Sequence, residues 1–158
     1  MKTKRGVQMP VRATKDSAGY DFFAPKDIVI KAGEWTEFGT GVFLDGTERP
    51  VMTLTRHDPY TGFDASVEFQ PDDWVLMLHP RSGLGFKHRV RIANTTGIID
   101  QDYKEEIRCK LSADVDVTIP KGTAYMQGVF LPYLTLMGEE EPTETRKGGF
   151  GSTDKRKE

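Results

Sequence analysis

The chain has 158 residues, enough for one domain with a sizeable core. Its 22 Lys and Arg against 24 Asp and Glu leave a formal charge of -2, which argues against direct nucleic-acid binding through a basic surface. One cysteine, Cys109, excludes an internal disulfide and suits a reducing compartment. The start MKTKRGVQMP is basic, but no apolar run follows it as in a signal peptide, and none elsewhere is long enough to span a bilayer. A soluble, cytoplasmic protein with no membrane partner is expected.

In chain order, the first unusual segment is AGYDFFAP (18–25), where Asp21 sits among aromatics, a costly place for a carboxylate unless it is paired or used. DIVIK (27–31), EWTEFGTGVFL (34–44) and VMTLTR (51–56) are predicted strands, separated by turn signals at Ala32-Gly33 and Asp45-Gly46. His57-Asp58, Asp64 and Asp72-Asp73 then read as solvated turn residues without the spacing of a metal cage. WVLML (74–78) is a strand leading into HPRSGLGFK (79–87). There Arg81, the Ser82 hydroxyl and the amides around Gly83 and Gly85 offer convergent donors for phosphate oxygens, and a short turn of helix is expected.

RVRIAN places Val90 and Ile92 on one face, and IANTTGIIDQDYKEEI (92–107) sends Asp100 out of an apolar stretch. A carboxylate so placed can hold a water and accept its proton, although a plain hairpin turn uses the same residue types. EEIRCKL buries Ile107, Cys109 and Leu111 by strict alternation, and DVDVTI does the same with Val115, Val117 and Ile119. AYMQGVFL (124–131) carries Gln127, an amide in an apolar strand that needs hydrogen-bond partners. From Gly138 the composition, ending ETRKGGFGSTDKRKE, is that of a mobile arm. Many short strands joined by turns, with no long amphipathic helix, indicate an all-β sandwich, jelly roll or barrel.

Taken together and in this order, AGYDFFAP, PRSGLG, NTTGIIDQDY, KGTAYMQ and GGFGST resemble the five motifs of the homotrimeric dUTPases, from about Ala18 to Thr153. The resemblance implies a jelly-roll-like β-barrel or sandwich with at most one short helix. The β-domain would span 1–137, with a 45–73 insert or long hairpin, and a flexible C-terminal arm over 138–158 would close on the active site. It implies hydrolysis of dUTP to dUMP and pyrophosphate with Mg2+, which keeps uracil out of DNA and supplies dUMP for thymidylate synthesis.

By position, Asp100 matches the carboxylate that activates the attacking water, and Tyr103 the aromatic that packs on the deoxyribose. Asn94 and the hairpin backbone through Gly97 and Ile99 match the reader of the uracil edge. Arg81, Ser82, Gly83 and Gln127 match phosphate-side groups. Asp21 matches an acid that supports Mg2+ through water, the ion being held mainly by substrate phosphates. Phe150 matches the arm aromatic that stacks on uracil, with Gly151, Ser152 and Thr153 beside the phosphates and Arg146 or Lys147 for the γ-phosphate. The resemblance also implies three sites per trimer, each shared between subunits.

Several positions depart from the family pattern. Residues 45–73 form a longer connection, which leaves room for a protein partner. Glu105 stands where a hairpin glycine is usual, Gly128 where a bulky apolar residue is typical, and Gly83 replaces a serine. The arm arginine is one position closer to the glycines, and Asp154 replaces a final glycine. Glu105 and Glu106 keep a dCTP deaminase of the same fold in view, and a nucleotide-gated binding protein is the alternative from another class.

Overall fold

The computed structural model describes residues 1–62, 64–71, 73–140, 142, 143, 146, 148 and 149. In chain order the strands are β1 (Lys2–Thr3), β2 (Val11–Arg12), β3 (Tyr20–Phe23), β4 (Ile28–Ile30), β5 (Trp35–Phe43), β6 (Met52–His57), β7 (Asp64–Phe69) and β8 (Trp74–Pro80). Helix α1 (Ser82–His88) follows, then β9 (Arg91–Ile92), β10 (Gly97–Asp100), β11 (Glu106–Ser112), β12 (Val117–Ile119) and β13 (Ala124–Pro132). They form a four-stranded sheet β1-β5-β11-β9 and a five-stranded sheet β10-β8-β13-β3-β2, with smaller pairs β12-β4 and β6-β7. The architecture is the expected all-β one with a single short helix among the described residues.

The alternating strands supply the core because each turns one face to it. Phe22, Leu76, Leu78, Ile107, Leu111, Tyr125 and Met126 are fully buried, drawn from β3, β8, β11 and β13. Cys109 lies on the same inner face with its thiol 3.1 Å from the Met126 sulfur, and burial pushes that thiol up to about 12. It is free, as expected. No helix among the described residues is long and apolar enough to cross a membrane.

Two local expectations are corrected. His57 and Asp64, read as turn residues, end two paired strands, facing one another in the β6–β7 register. The turn is capped from within: Asp58 Oδ1 accepts the N–H groups of Tyr60 and Thr61, and Gly62 takes a positive φ of 67°. Val115 is exposed rather than inward, because Asp114 and Asp116 on either side are drawn to Arg89, Arg91 and Lys31, and β12 begins only at Val117. The short helix expected after Arg81 is α1, which runs to His88 and stops at Arg89, whose φ of 52° lies in the left-handed region.

Candidate active site

β10 and β11 are consecutive but belong to different sheets: β10 pairs with β8, and β11 with β5 and, at Leu111 and Ser112, with β9. No ladder joins β10 to β11: β10 is an edge strand of its sheet, whereas β11 lies between β5 and β9, with its Lys110 carbonyl accepting the Ala93 N–H, and only its first residues lack a neighbour on the side away from β5. A cavity of about 470 Å³ lies between them, lined by Asn94, Gly97, Ile99, Asp100, Tyr103 and Cys109 among others. Open strand edges present alternating N–H and C=O groups, a row of donors and acceptors with fixed spacing. The turn is closed by the Tyr103 N–H bonding to the Asp100 carbonyl. Tyr103 is buried, its hydroxyl donates to the Glu106 carbonyl at 3.0 Å, and burial pushes its phenol up, so it stays neutral and walls the cavity.

A second cluster forms at the other end of β8. Asp21 on β3 stands opposite Gln127 on β13, which stands opposite His79 on β8. Arg81 Nε lies 3.4 Å from Asp21 Oδ1, and Ser82 and Gly83 open α1 beside it, with empty space where a Gly83 side chain would be. A Cβ on Gly19 would lie 2.9 Å from Gln127 Oε1, so glycine lets that amide lie against the strand backbone. The sequence-predicted residues therefore fall into two groups. Asn94, Gly97, Ile99, Asp100 and Tyr103 meet at the hairpin; Asp21, Arg81, Ser82, Gly83 and Gln127 meet at the β8–α1 junction.

Asp100 stands opposite Val75, and Val75 to Arg81 is a separation of about 20 Å along the strand. Asp100 and Arg81 are thus not brought together within one chain. Asp21 is the carboxylate of the second group. Among the described residues no three His, Cys, Asp or Glu side chains are grouped to hold a metal ion. The Asp21 carboxylate beside Arg81 offers oxygens of the kind a hard divalent cation takes.

The arm residues Arg146 and Gly149 reach the hairpin. The Arg146 guanidinium pairs with Asp100 Oδ2 and, at 2.8 Å, with Asp102 Oδ1, and lies 5.8 Å from the centre of the Tyr103 ring. A Cβ on Gly149 would lie 2.8 Å from Tyr103 Cε2, so glycine permits this approach. Lys147, Phe150, Gly151, Ser152 and Thr153 lie outside the described residues.

A family model described as dUTPase matches residues 49–154, about two thirds of the chain. The deoxyuridine 5'-triphosphate nucleotidohydrolase of Nautilia profundicola is 31% identical over 160 residues, covering 98% of this chain and 96% of its own. That of Rickettsia akari is 36% identical over 153 residues, covering 92% and 87%. The chain belongs to the dUTPase family. Among solved structures, the dUTPase of Streptococcus mutans shares the fold at a TM-score of 0.61 and 23% identity, covering 87% of this chain and 98% of that one. The dUTPase of phage phi11 of S. aureus, whose structure visualises a species-specific insert, does so at 0.59 and 19%, covering 92% and 95%.

Within the dUTPase framework two departures have packing explanations. A Cβ at Gly128 would lie 2.8 Å from Leu76 Cδ1 and 2.9 Å from Phe22 Cε2, so neighbouring side chains already fill the space of the usual bulky residue. Glu105 is not among the positive-φ residues, so this hairpin turn does not need a glycine there. Other features escaped the sequence reading. Asp102 holds the arm arginine, and Arg108 on the cavity rim binds Glu37 through Nε at 3.1 Å. Glu106 turns away from the cavity to Lys4 Nζ at 2.6 Å and to the Gly41 N–H at 2.8 Å. Alternation with buried Ile107 and Cys109 puts Arg108 on the wet face, but nothing in the sequence names its partner.

Proposed function

We propose that the protein is a dUTP diphosphatase, releasing dUMP and pyrophosphate, and that its sites are built between copies of the chain in a homotrimer. The observation that carries the reading is the hairpin held open between two sheets, with Asp100 at its mouth and Tyr103 as its wall. Uracil presents acceptor, donor and acceptor at O2, N3–H and O4, a pattern that an open strand edge can complement. Cytosine would set donor against donor, at about 1–3 kcal/mol for each unmatched polar group. The deoxyribose then packs on Tyr103, which leaves no room for a 2′-hydroxyl.

Asp100 accepts a proton from a water as that water attacks the α-phosphorus in line. The bond from the α-phosphorus to the bridging oxygen breaks, and pyrophosphate leaves with the electron pair. Arg146 has to leave Asp100 before that carboxylate can take a proton, and the triphosphate is the stronger anionic partner for it. Arg81, Ser82, Gln127 and the Gly83 amide receive the phosphate oxygens from a second copy, since on one chain they lie too far from Asp100. Asp21 would hold magnesium through water, and the bound ion supplies charge neutralisation on the phosphates. The arm completes the site, with Phe150 stacking on the base and Gly151, Ser152 and Thr153 beside the phosphates. This activity keeps uracil out of DNA and provides dUMP for thymidylate synthesis.

A deaminase is disfavoured by Glu105 and Glu106, neither of which lines the cavity. A protein partner on the 45–73 insert remains a compatible additional role, supported by the β6–β7 hairpin forming a sheet of its own. The test of the main reading is pyrophosphate release with Mg2+ from dUTP, dCTP, dTTP and UTP. Release confined to dUTP is expected; equal rates with dCTP or dTTP would overturn the proposal.

A further inference from the structure

β5 carries a bulge where it passes the start of β11. The register runs Glu106 to Phe43 but Arg108 to Gly39, so β5 spends two more residues than β11 over this interval, and Gly41 takes a φ of 76°. The amides released by the bulge are taken up by side chains. Thr40 Oγ1 accepts the Val42 N–H at 3.1 Å and donates to the Ile107 carbonyl at 2.8 Å, while Glu106 Oε1 accepts the Gly41 N–H at 2.8 Å. Lys4 closes the arrangement twice: its N–H bonds to the Gly41 carbonyl and its Nζ to Glu106 Oε2, at 2.8 and 2.6 Å. The carboxylate lies over Gly39, where a Cβ would come within 2.3 Å of Oε1 and 2.5 Å of Cδ. Burial opposes ionisation of Glu106, but the bonds to Lys4 and Gly41 outweigh it and hold its carboxyl below the ordinary range.

The same residue holds the cavity wall, because the Glu106 carbonyl accepts the Tyr103 hydroxyl. We propose that Glu106, clamped by Lys4 and Gly41 and seated on Gly39, is a positioning residue that fixes Tyr103 and so sets the enzyme's discrimination against ribonucleotides. This rests on the reading that Tyr103 packs against the sugar. Glu106 touches no reacting atom and its side chain faces away from the nucleotide. It acts through backbone position at the bulge, where a small displacement moves the Tyr103 hydroxyl anchor. A wall that can retreat admits a 2′-hydroxyl, and a wall that is loose also binds deoxyribose less well.

The experiment measures kcat and KM for dUTP and UTP with wild type, Glu106→Ala, Glu106→Gln, Gly39→Ala, Tyr103→Phe and Tyr103→Ala, each first checked for folding by thermal melting. With Glu106→Ala and Gly39→Ala the KM for dUTP should rise and the dUTP-to-UTP ratio of kcat/KM should fall, each about tenfold, while kcat for dUTP holds. Glu106→Gln keeps an oxygen for the Gly41 N–H and should recover much of the ratio; Tyr103→Phe should resemble Glu106→Ala. If Tyr103→Ala lowers the ratio and neither Glu106→Ala nor Gly39→Ala does, the positioning role is wrong. If Tyr103→Ala itself leaves the ratio unchanged, it is the sugar reading of Tyr103 that fails. A fall in kcat and melting temperature at constant ratio would mark Glu106 as structural only.

Discussion

If each site draws Asp100 from one copy and Arg81 from another, two inactive chains should restore one another. Asp100 is level with Val75 at one end of β8 and Arg81 follows its other end, about 20 Å away. Arg81 is directed at Asp21, which is held opposite Gln127, so its side chain does not bridge that interval. A triphosphate is far shorter than this gap. Take an Asp100→Asn chain and an Arg81→Ala chain, each of which should be nearly inactive. Unfolded together at equal amounts and refolded, they assort into mixed trimers. A site is whole when its Arg81 donor is the first chain and its Asp100 donor the second, which for random assortment is about one quarter of sites. Pyrophosphate release from dUTP should therefore recover to about a quarter of the refolded wild type, measured as initial rate at saturating substrate. Recovery no greater than the sum of the separate variants would refute shared sites and return both functions to one chain.

Three further outcomes follow from named contacts. Asp100→Asn should lower kcat by ~10²–10⁴ while dUTP still binds, as read by calorimetry with Mg2+; normal turnover would remove Asp100 as the base. Gly128→Val forces a side chain against Leu76 and Phe22 and should destabilise by about 1–3 kcal/mol, seen as a lower melting temperature. Glu106 has a folded-state pKa below its ordinary value of 4.5, so the folded state releases its proton more readily and stability rises with pH through that window. The stabilisation is present above about pH 4.5 and is lost as pH falls through the lowered value. The melting difference between wild type and Glu106→Gln should accordingly be larger at pH 7 than at pH 3.5.

What the sequence made legible was whatever one face of a strand against a core dictates. EEIRCKL and AYMQGVFL became β11 and β13 because alternation there has a buried side to report. DVDVTI misled at Val115 because long-range ion pairs at Asp114 and Asp116, not burial, orient that turn. SGLGFKH forms the short helix expected after Arg81 even though two of its residues are glycines, poor helix formers. The motif residues were legible by type and spacing, and they do gather in two places. The separation of Asp100 from Arg81 along β8 was not, since spacing along a chain says little about which strand positions come level. The Lys4–Glu106–Gly41 network was hidden for the same reason: its members are far apart in sequence and a bulge satisfied by side chains leaves no local pattern.

The open hairpin also explains why a second copy should be needed for affinity. Without nucleotide, water can satisfy the edge of β10 and the first residues of β11, so a base that replaces it exchanges one set of hydrogen bonds for another. The net gain is only about 0.5–1.5 kcal/mol for each bond, whereas a mismatched base leaves groups unpaired at greater cost. The slot is therefore a better discriminator than a binder. On the proposed reading tight binding comes from the phosphate end, where Arg81 would meet linked phosphates with charge-assisted bonds. Because Arg81 lies about 20 Å along β8 from Asp100, selectivity for the base could reside within one chain while affinity for the triphosphate would draw on the proposed assembly. Deoxyuridine should then bind far more weakly than dUTP yet show the same preference over deoxycytidine.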